Sequence, residues 1–167
     1  MLALADRLDD VNRAVGRIVQ WSALAMVLLQ FALVVLRYVF GLSYIFWNEA
    51  VLYLHAALFM LGAGYTFLVD AHVRVDIFYS RATPKRKAAI DCLGHVLFLT
   101  PALVLLLVYS WPSVRRSWSI LEGPISVGGI PASFLLKSLI PAFCILLLIQ
   151  GLARLMRDIL RLRASDP

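Results

Sequence analysis

Four apolar stretches, separated by short polar connections, constrain this chain more than any other feature. A hydrocarbon layer of ~30 Å is crossed by about 20 residues rising 1.5 Å each. The stretches at about 18–40, 46–69, 88–111 and 131–153 all meet that length. Backbone polar groups in lipid must be satisfied within the segment, so such runs are read as helices. Charged residues make up only 16% of the 167, against ~25% in an ordinary soluble domain, and no polar region is long enough for a second globular unit. The fold class expected is an all-α integral membrane protein forming one membrane domain over 1–167. It has four transmembrane helices, an amphipathic N-terminal entry helix over 1–17, a hinge over 70–87 and an outer loop over 112–130.

The net charge of +6 invites a nucleic-acid reading, but the basic residues do not form the aromatic-interleaved polar surface that reading requires. They flank the apolar runs instead. Arg7, Arg13 and Arg17 precede the first, Arg74, Arg81, Lys85, Arg86 and Lys87 fill the hinge, and Arg154, Arg157, Arg161 and Arg163 follow the last. Only Arg37, Arg115, Arg116 and Lys137 fall on the opposite side. Lys and Arg accumulate on the cytoplasmic face of membrane proteins, so both termini are expected there. Membrane lipid is thus a partner, and nucleic acid is not.

Polar residues inside the spans are the candidates for specific contacts. Leu4, Leu8, Val11 and Val15 recur at helical spacing in the entry segment, and no signal-peptide order precedes them. Gln30 falls near mid-bilayer, where an amide should face another helix. Arg37 and Glu49 share one end of the first helical hairpin, and an ion pair would account for both charges. Asp70, His72, Arg74 and Asp76 at the hinge read as a polar clamp on the hinge or on a partner helix. Pro84 breaks any helix before it, Pro101 is expected to kink the third helix, Trp111 and Pro112 to end it, and Pro131 to open the fourth. Lys137 has a stem long enough to snorkel to the outer boundary.

Several chemistries find no support. There is no phosphate-binding glycine motif and no lobe to hold ATP. Cys92 and Cys144 sit in apolar runs without CxxC spacing, as buried small hydrophobes do. No local nucleophile signature stands near a histidine, so no enzyme activity, cofactor or metal is expected. His55 and His95 on successive spans raise the alternative of a haem- or quinone-linked membrane anchor of an oxidoreductase. Counted from the outer boundaries, their depths differ by ~10 Å, which disfavours a shared haem. Glu49, Asp91 and Lys137 are few and near span ends, which suits helix–helix or subunit contacts better than an ion path.

The ordered strings WNE (47–49), FMLGAGYT (59–66), HVRVDIFYS (72–80), EGP (122–124), GGIP (128–131) and LLKSLIP (135–141) resemble the small, Q-type membrane subunit of tripartite ATP-independent periplasmic (TRAP) transporters. The likeness runs from about Trp47 to Leu155. GGIP and LLKSLIP look like the branch associated with 2-oxo acids, although Pro124 stands where that branch has serine. The resemblance implies a scaffold subunit in the bacterial inner membrane, bracing a large multi-span subunit that takes organic acids from a periplasmic binding protein with sodium. Candidate partner and scaffold contacts are Arg37, Glu49, His55, Asp70, His72, Arg74, Asp76, Arg115, Arg116 and Lys137. The loop around Arg115, Arg116 and Trp118 is the surface expected to meet the binding protein or the large subunit's outer face.

Overall fold

The computed structural model describes residues 2–72, 79 and 82–164, and every regular element among them is helical. Helix α1 spans Leu2–Phe40, α2 Ile45–Leu68, α3 Pro84–Gly94, α4 Thr100–Ser119 and α5 Ser133–Ala164. A π turn over His95–Leu99 joins α3 to α4 without a break. Four of the resulting rods, Leu2–Phe40, Ile45–Leu68, Pro84–Ser119 and Ser133–Arg163, are long and apolar enough to cross a membrane.

The local chemistry explains most boundaries. Thr83 caps α3 by accepting the Arg86 amide hydrogen, and Pro84 occupies the first turn, where no amide hydrogen is needed. Lys85, Arg86 and Lys87 therefore start a helix and do not extend the hinge. Helix α2 ends with Asp70 in the left-handed region (φ 59°), the Ala71 amide bonding Thr66 O and the Asp70 amide bonding Phe67 O. Helix α4 ends in the same way, with Leu121 at φ 44° and the Glu122 amide on Ser117 O. Both are Schellman closures, which satisfy carbonyls that a helix end leaves open.

Two prolines shape the third rod, and Pro112 departs from expectation. Pro101 lacks an amide hydrogen, and the ladder just before it slips by one residue so that Thr100 bonds His95 O. The disturbance is a π turn, one of the local irregularities at which helices kink. Pro112 lies inside α4, which continues past Trp111 to Ser119. Helix α5 begins at Ser133, just after Pro131, and the Ser133 hydroxyl donates to Gly123 O.

Helix α5 is the hub. It touches α1, α2, α3 and α4, whereas α1 and α2 pack on each other and neither packs on α4. The apolar core is small: Leu103, Cys144 and Leu147, flanked by Ala63, Phe67, Leu99 and Phe143. Most large apolar side chains face outward, as they do when lipid or another subunit replaces a protein interior. The entry segment is not a separate element. It forms the first turns of α1, and Ala5, Asp9, Asn12 and Gly16 turn inward at helical spacing while Leu4 and Val11 remain exposed.

Candidate functional site

Polar side chains gather at the two ends of the bundle. At the loop end, Glu49 near the start of α2 is buried (6% exposed), and its two carboxylate oxygens accept the amide hydrogens of Ser126 (2.9 Å) and Ile130 (2.8 Å). Gly129 lies so close that a Cβ there would fall 2.2 Å from both oxygens. A carboxylate in this position acts as an anion held by a turn of backbone donors. The anticipated Arg37–Glu49 ion pair is absent among the described residues: Arg37 is exposed on the last turn of α1, and the loop takes the Glu49 charge.

The same loop is fastened to α4 and α5. Glu122 accepts hydrogen bonds from the Ser117 hydroxyl and from Lys137 Nζ at 2.5 Å. The Lys137 bond, then the Ser117 bond, hold the Glu122 carboxyl below its ordinary range. Trp118 Nε1 donates to Ser138 Oγ (2.8 Å), and the Trp118 ring meets Phe134 edge-on. Lys137 thus turns to a loop carboxylate instead of reaching outward alone. Arg115 and Arg116 are exposed beside this fastening.

At the terminal end, α1 and α5 are joined by a ladder of amides and charges. Asn12 Nδ2 donates to Leu146 O (3.2 Å) and Gln150 Oε1 (3.0 Å), and Gln150 Nε2 donates to Asp9 Oδ1 (2.9 Å). Arg157 then bridges Asp9 (2.6 Å) and Asp6 (2.9 Å). Asn12 and Gln150 are fully buried, and a Cβ on Gly64 would lie 2.0 Å from Asn12 Oδ1. Gly64 therefore sets the approach of α2 to α1.

Arg154 closes the end of α2. Its guanidinium donates to Asp70 (2.9 Å) and to Phe67 O (2.8 Å) and lies over the Phe67 ring at 5.1 Å. A cation at a helix C-terminus answers the helix dipole and the open carbonyls. Tyr79 from the hinge donates to Asp91 Oδ2 at 2.6 Å. These groups line an open polar cavity of about 320 Å³ with Asp9, Arg157 and Asp158.

The remaining candidates separate. His72 is exposed and sits edge-on to Phe67, so of the expected hinge clamp it is Asp70 that ties α2 to α5. Arg74 and Asp76 lie outside the described residues. His55 is exposed on α2 with its ring stacked on Phe59, whereas His95 is buried against Phe67. Gln30, expected to face another helix, is exposed on this chain. Among the described residues no group of three or more His, Cys, Asp or Glu is arranged to hold a metal ion.

Sequence reasoning did not find the Asp6, Asp9, Asn12, Gln150 and Arg157 ladder. Its signal was present as complementary charge: three aspartates, Asp6, Asp9 and Asp10, before the first span, and four arginines, Arg154, Arg157, Arg161 and Arg163, after the last. What this arrangement does chemically is hold helices and a loop in fixed positions.

Comparison with protein families gives a match over residues 26–161 to the family described as "Tripartite ATP-independent periplasmic transporters, DctQ component". No curated protein and no solved structure matches the chain.

Proposed function

The chain belongs to the DctQ-component family of tripartite ATP-independent periplasmic transporters, and from that membership we propose that it is a non-catalytic scaffold for a sodium-coupled importer of organic acids, carboxylates of the 2-oxo acid kind among them. In this reading it lies in the bacterial inner membrane with both termini cytoplasmic. It braces a large multi-span subunit that carries the substrate, and a periplasmic binding protein delivers that substrate at the loop side.

One observation carries the bracing role: His55 and Gln30 are exposed although they sit in the middle of apolar spans. His55 is ten residues into α2, ~15 Å along a core of ~30 Å. Lipid tails offer an imidazole or amide no hydrogen-bond partner, and helix–helix bonds of this kind contribute about 1–2 kcal/mol in model peptides. A second membrane protein satisfies them, and the exposed apolar faces around them supply its packing surface. The exposed Arg115 and Arg116 beside the rigid outer loop suit contact with an acidic partner face on the loop side.

The test is co-purification with a large multi-span subunit of a tripartite transporter. His55→Leu combined with Gln30→Leu should lower recovery of the complex while the isolated chain keeps its melting temperature. Undiminished recovery would remove the basis for the bracing role. Uptake in proteoliposomes that is indifferent to a sodium gradient would remove the sodium coupling. Charge reversal at Arg115 and Arg116 should weaken uptake driven by the binding protein without disturbing assembly.

A further inference from the structure

Between α1 and α2, with α5 behind them, lies an open groove of about 650 Å³ whose apolar wall includes Val19, Leu58, Phe59, Ala63, Phe143 and Leu147. Val19 and Leu147 are buried at its base, and Phe59 stands exposed on its rim. Along α2 the groove covers only the second half of the helix. On α2 it runs from Leu58 to the end of the helix at Leu68, a rise of ~15 Å, half of a ~30 Å hydrocarbon core.

Its two ends differ in chemistry. Towards mid-membrane the wall is apolar, and Gly62 leaves the middle open, since a Cβ there would meet nothing within 4 Å. The Thr66 hydroxyl beside it is already bonded to Gly62 O. At the mouth sits His72. Arg17 and Arg13 lie one and two turns before Gln20 of the lining, on the same face of α1 by helical spacing. Both are exposed, and the ion pair there among the described residues, Arg13 with Asp10 at 3.9 Å, is a surface contact that holds its charge only weakly.

A site one leaflet long, apolar within and cationic at the mouth, has the dimensions and charge order of a phospholipid. We propose that this groove holds an acyl chain of an anionic phospholipid from the leaflet on the side of the chain termini, its headgroup held by Arg13, Arg17 and His72. A transmembrane helix from a partner would need both leaflets, whereas the groove stops at Leu58, about one turn short of His55. The inference needs only that the chain crosses a membrane, and it is independent of the transport role.

Native mass spectrometry of the purified full chain tests it, with phosphatidylglycerol and phosphatidylethanolamine as probes. The wild type should keep one phosphatidylglycerol through detergent exchange, and Gly62→Leu, which fills the groove, should lose it without a fall in melting temperature. Arg13→Gln and Arg17→Gln should each weaken phosphatidylglycerol binding about fivefold, corresponding to about 1 kcal/mol per basic residue near an anionic surface, and leave phosphatidylethanolamine unaffected. Equal retention by Gly62→Leu, no retention by the wild type, or no headgroup preference would overturn the proposal. So would a Gly62→Leu chain that keeps its lipid but no longer binds the large subunit, because the groove would then seat a protein helix. Should Gly62→Leu fail to fold, the two arginine variants decide alone.

Discussion

Removing the Glu49 carboxylate should free the outer loop while leaving the helices in place. Two amide hydrogens, those of Ser126 and Ile130, point at this buried group. A hydrogen bond to a charged group contributes ~1.5–3 kcal/mol net, so the pair represents about 3–6 kcal/mol. Water replaces part of that when the carboxylate is cut back to Ala, which makes ~3 kcal/mol the working figure, about a hundredfold in the equilibrium for local opening. Hydrogen exchange read on the peptides covering 123–132 should therefore quicken about a hundredfold in Glu49→Ala. Glu49→Gln keeps one acceptor oxygen and turns a donor towards the other amide, so it should quicken exchange by about tenfold, one bond of ~1.5 kcal/mol. Gly129→Ala attacks the same contact from the other side, since its Cβ would fall 2.2 Å from the carboxylate oxygens. The α5 peptides serve as the internal reference. If Ser126 and Ile130 exchange at the wild-type rate in Glu49→Ala, the carboxylate does not hold the loop and the argument fails.

Two glycines two residues apart should respond oppositely: Gly64→Ala drives a Cβ into Asn12 and should cost ~1–3 kcal/mol as an overpacked contact. Gly62→Ala meets nothing and should gain up to ~1 kcal/mol of helix propensity, both read from melting temperature in detergent. Arg157→Leu strands the largely buried Asp9. Breaking a buried ion pair costs ~3–5 kcal/mol, and the partial exposure of Arg157 lowers this to ~2–3 kcal/mol, measured by denaturant unfolding. The Glu122 carboxyl sits below its ordinary 4.5, so its contribution is complete above the unfolded value and is lost as pH falls through the lower folded one. Trp118 fluorescence should hold steady from pH 7 to about 5 and change only below the ordinary carboxyl range, and Lys137→Met should move that change to higher pH.

The four helices were legible because length and apolarity alone determine what survives in a bilayer. Their ends were less so. Trp111 and Pro112 look like a boundary, yet a proline is tolerated in a helix whose neighbouring carbonyls find other partners, and α4 continues to Ser119. Glu49 is recognisable in the sequence as a buried charge needing a partner, but the partners are backbone amides of a loop 77 and 81 residues away. Backbone donors carry no residue signature. Lys137 shows the same difficulty at shorter range: its partner Glu122 lies 15 residues back and becomes a neighbour only once Leu121 turns the chain. The apolar periodicity of the entry segment does not mark its inner face, where Asp9 and Asn12 are buried because α5 extends far enough past the span to present Gln150 and Arg157 to them.

The placement of polar bonds bears on the proposed bracing role. Glu49, Glu122 and Lys137 tie one end of the bundle, while Asp9, Asn12, Gln150, Arg154 and Arg157 tie the other. Helix α5 takes part in both sets, so a displacement of the outer loop is resisted through one rigid rod that reaches the terminal side. Between these ends the helices meet through a small core, and the outward faces of α1 and α2 carry His55, Gln30 and the one-leaflet groove. A bundle meant to stand alone in lipid gains nothing from an exposed imidazole and amide at mid-depth, because leucine in both positions would meet lipid tails at less cost. Polar bonds concentrated at the ends and exposed polarity in the middle fit the proposed bracing role. The ends keep its shape, and the open middle gives a partner a reason to dock in one register.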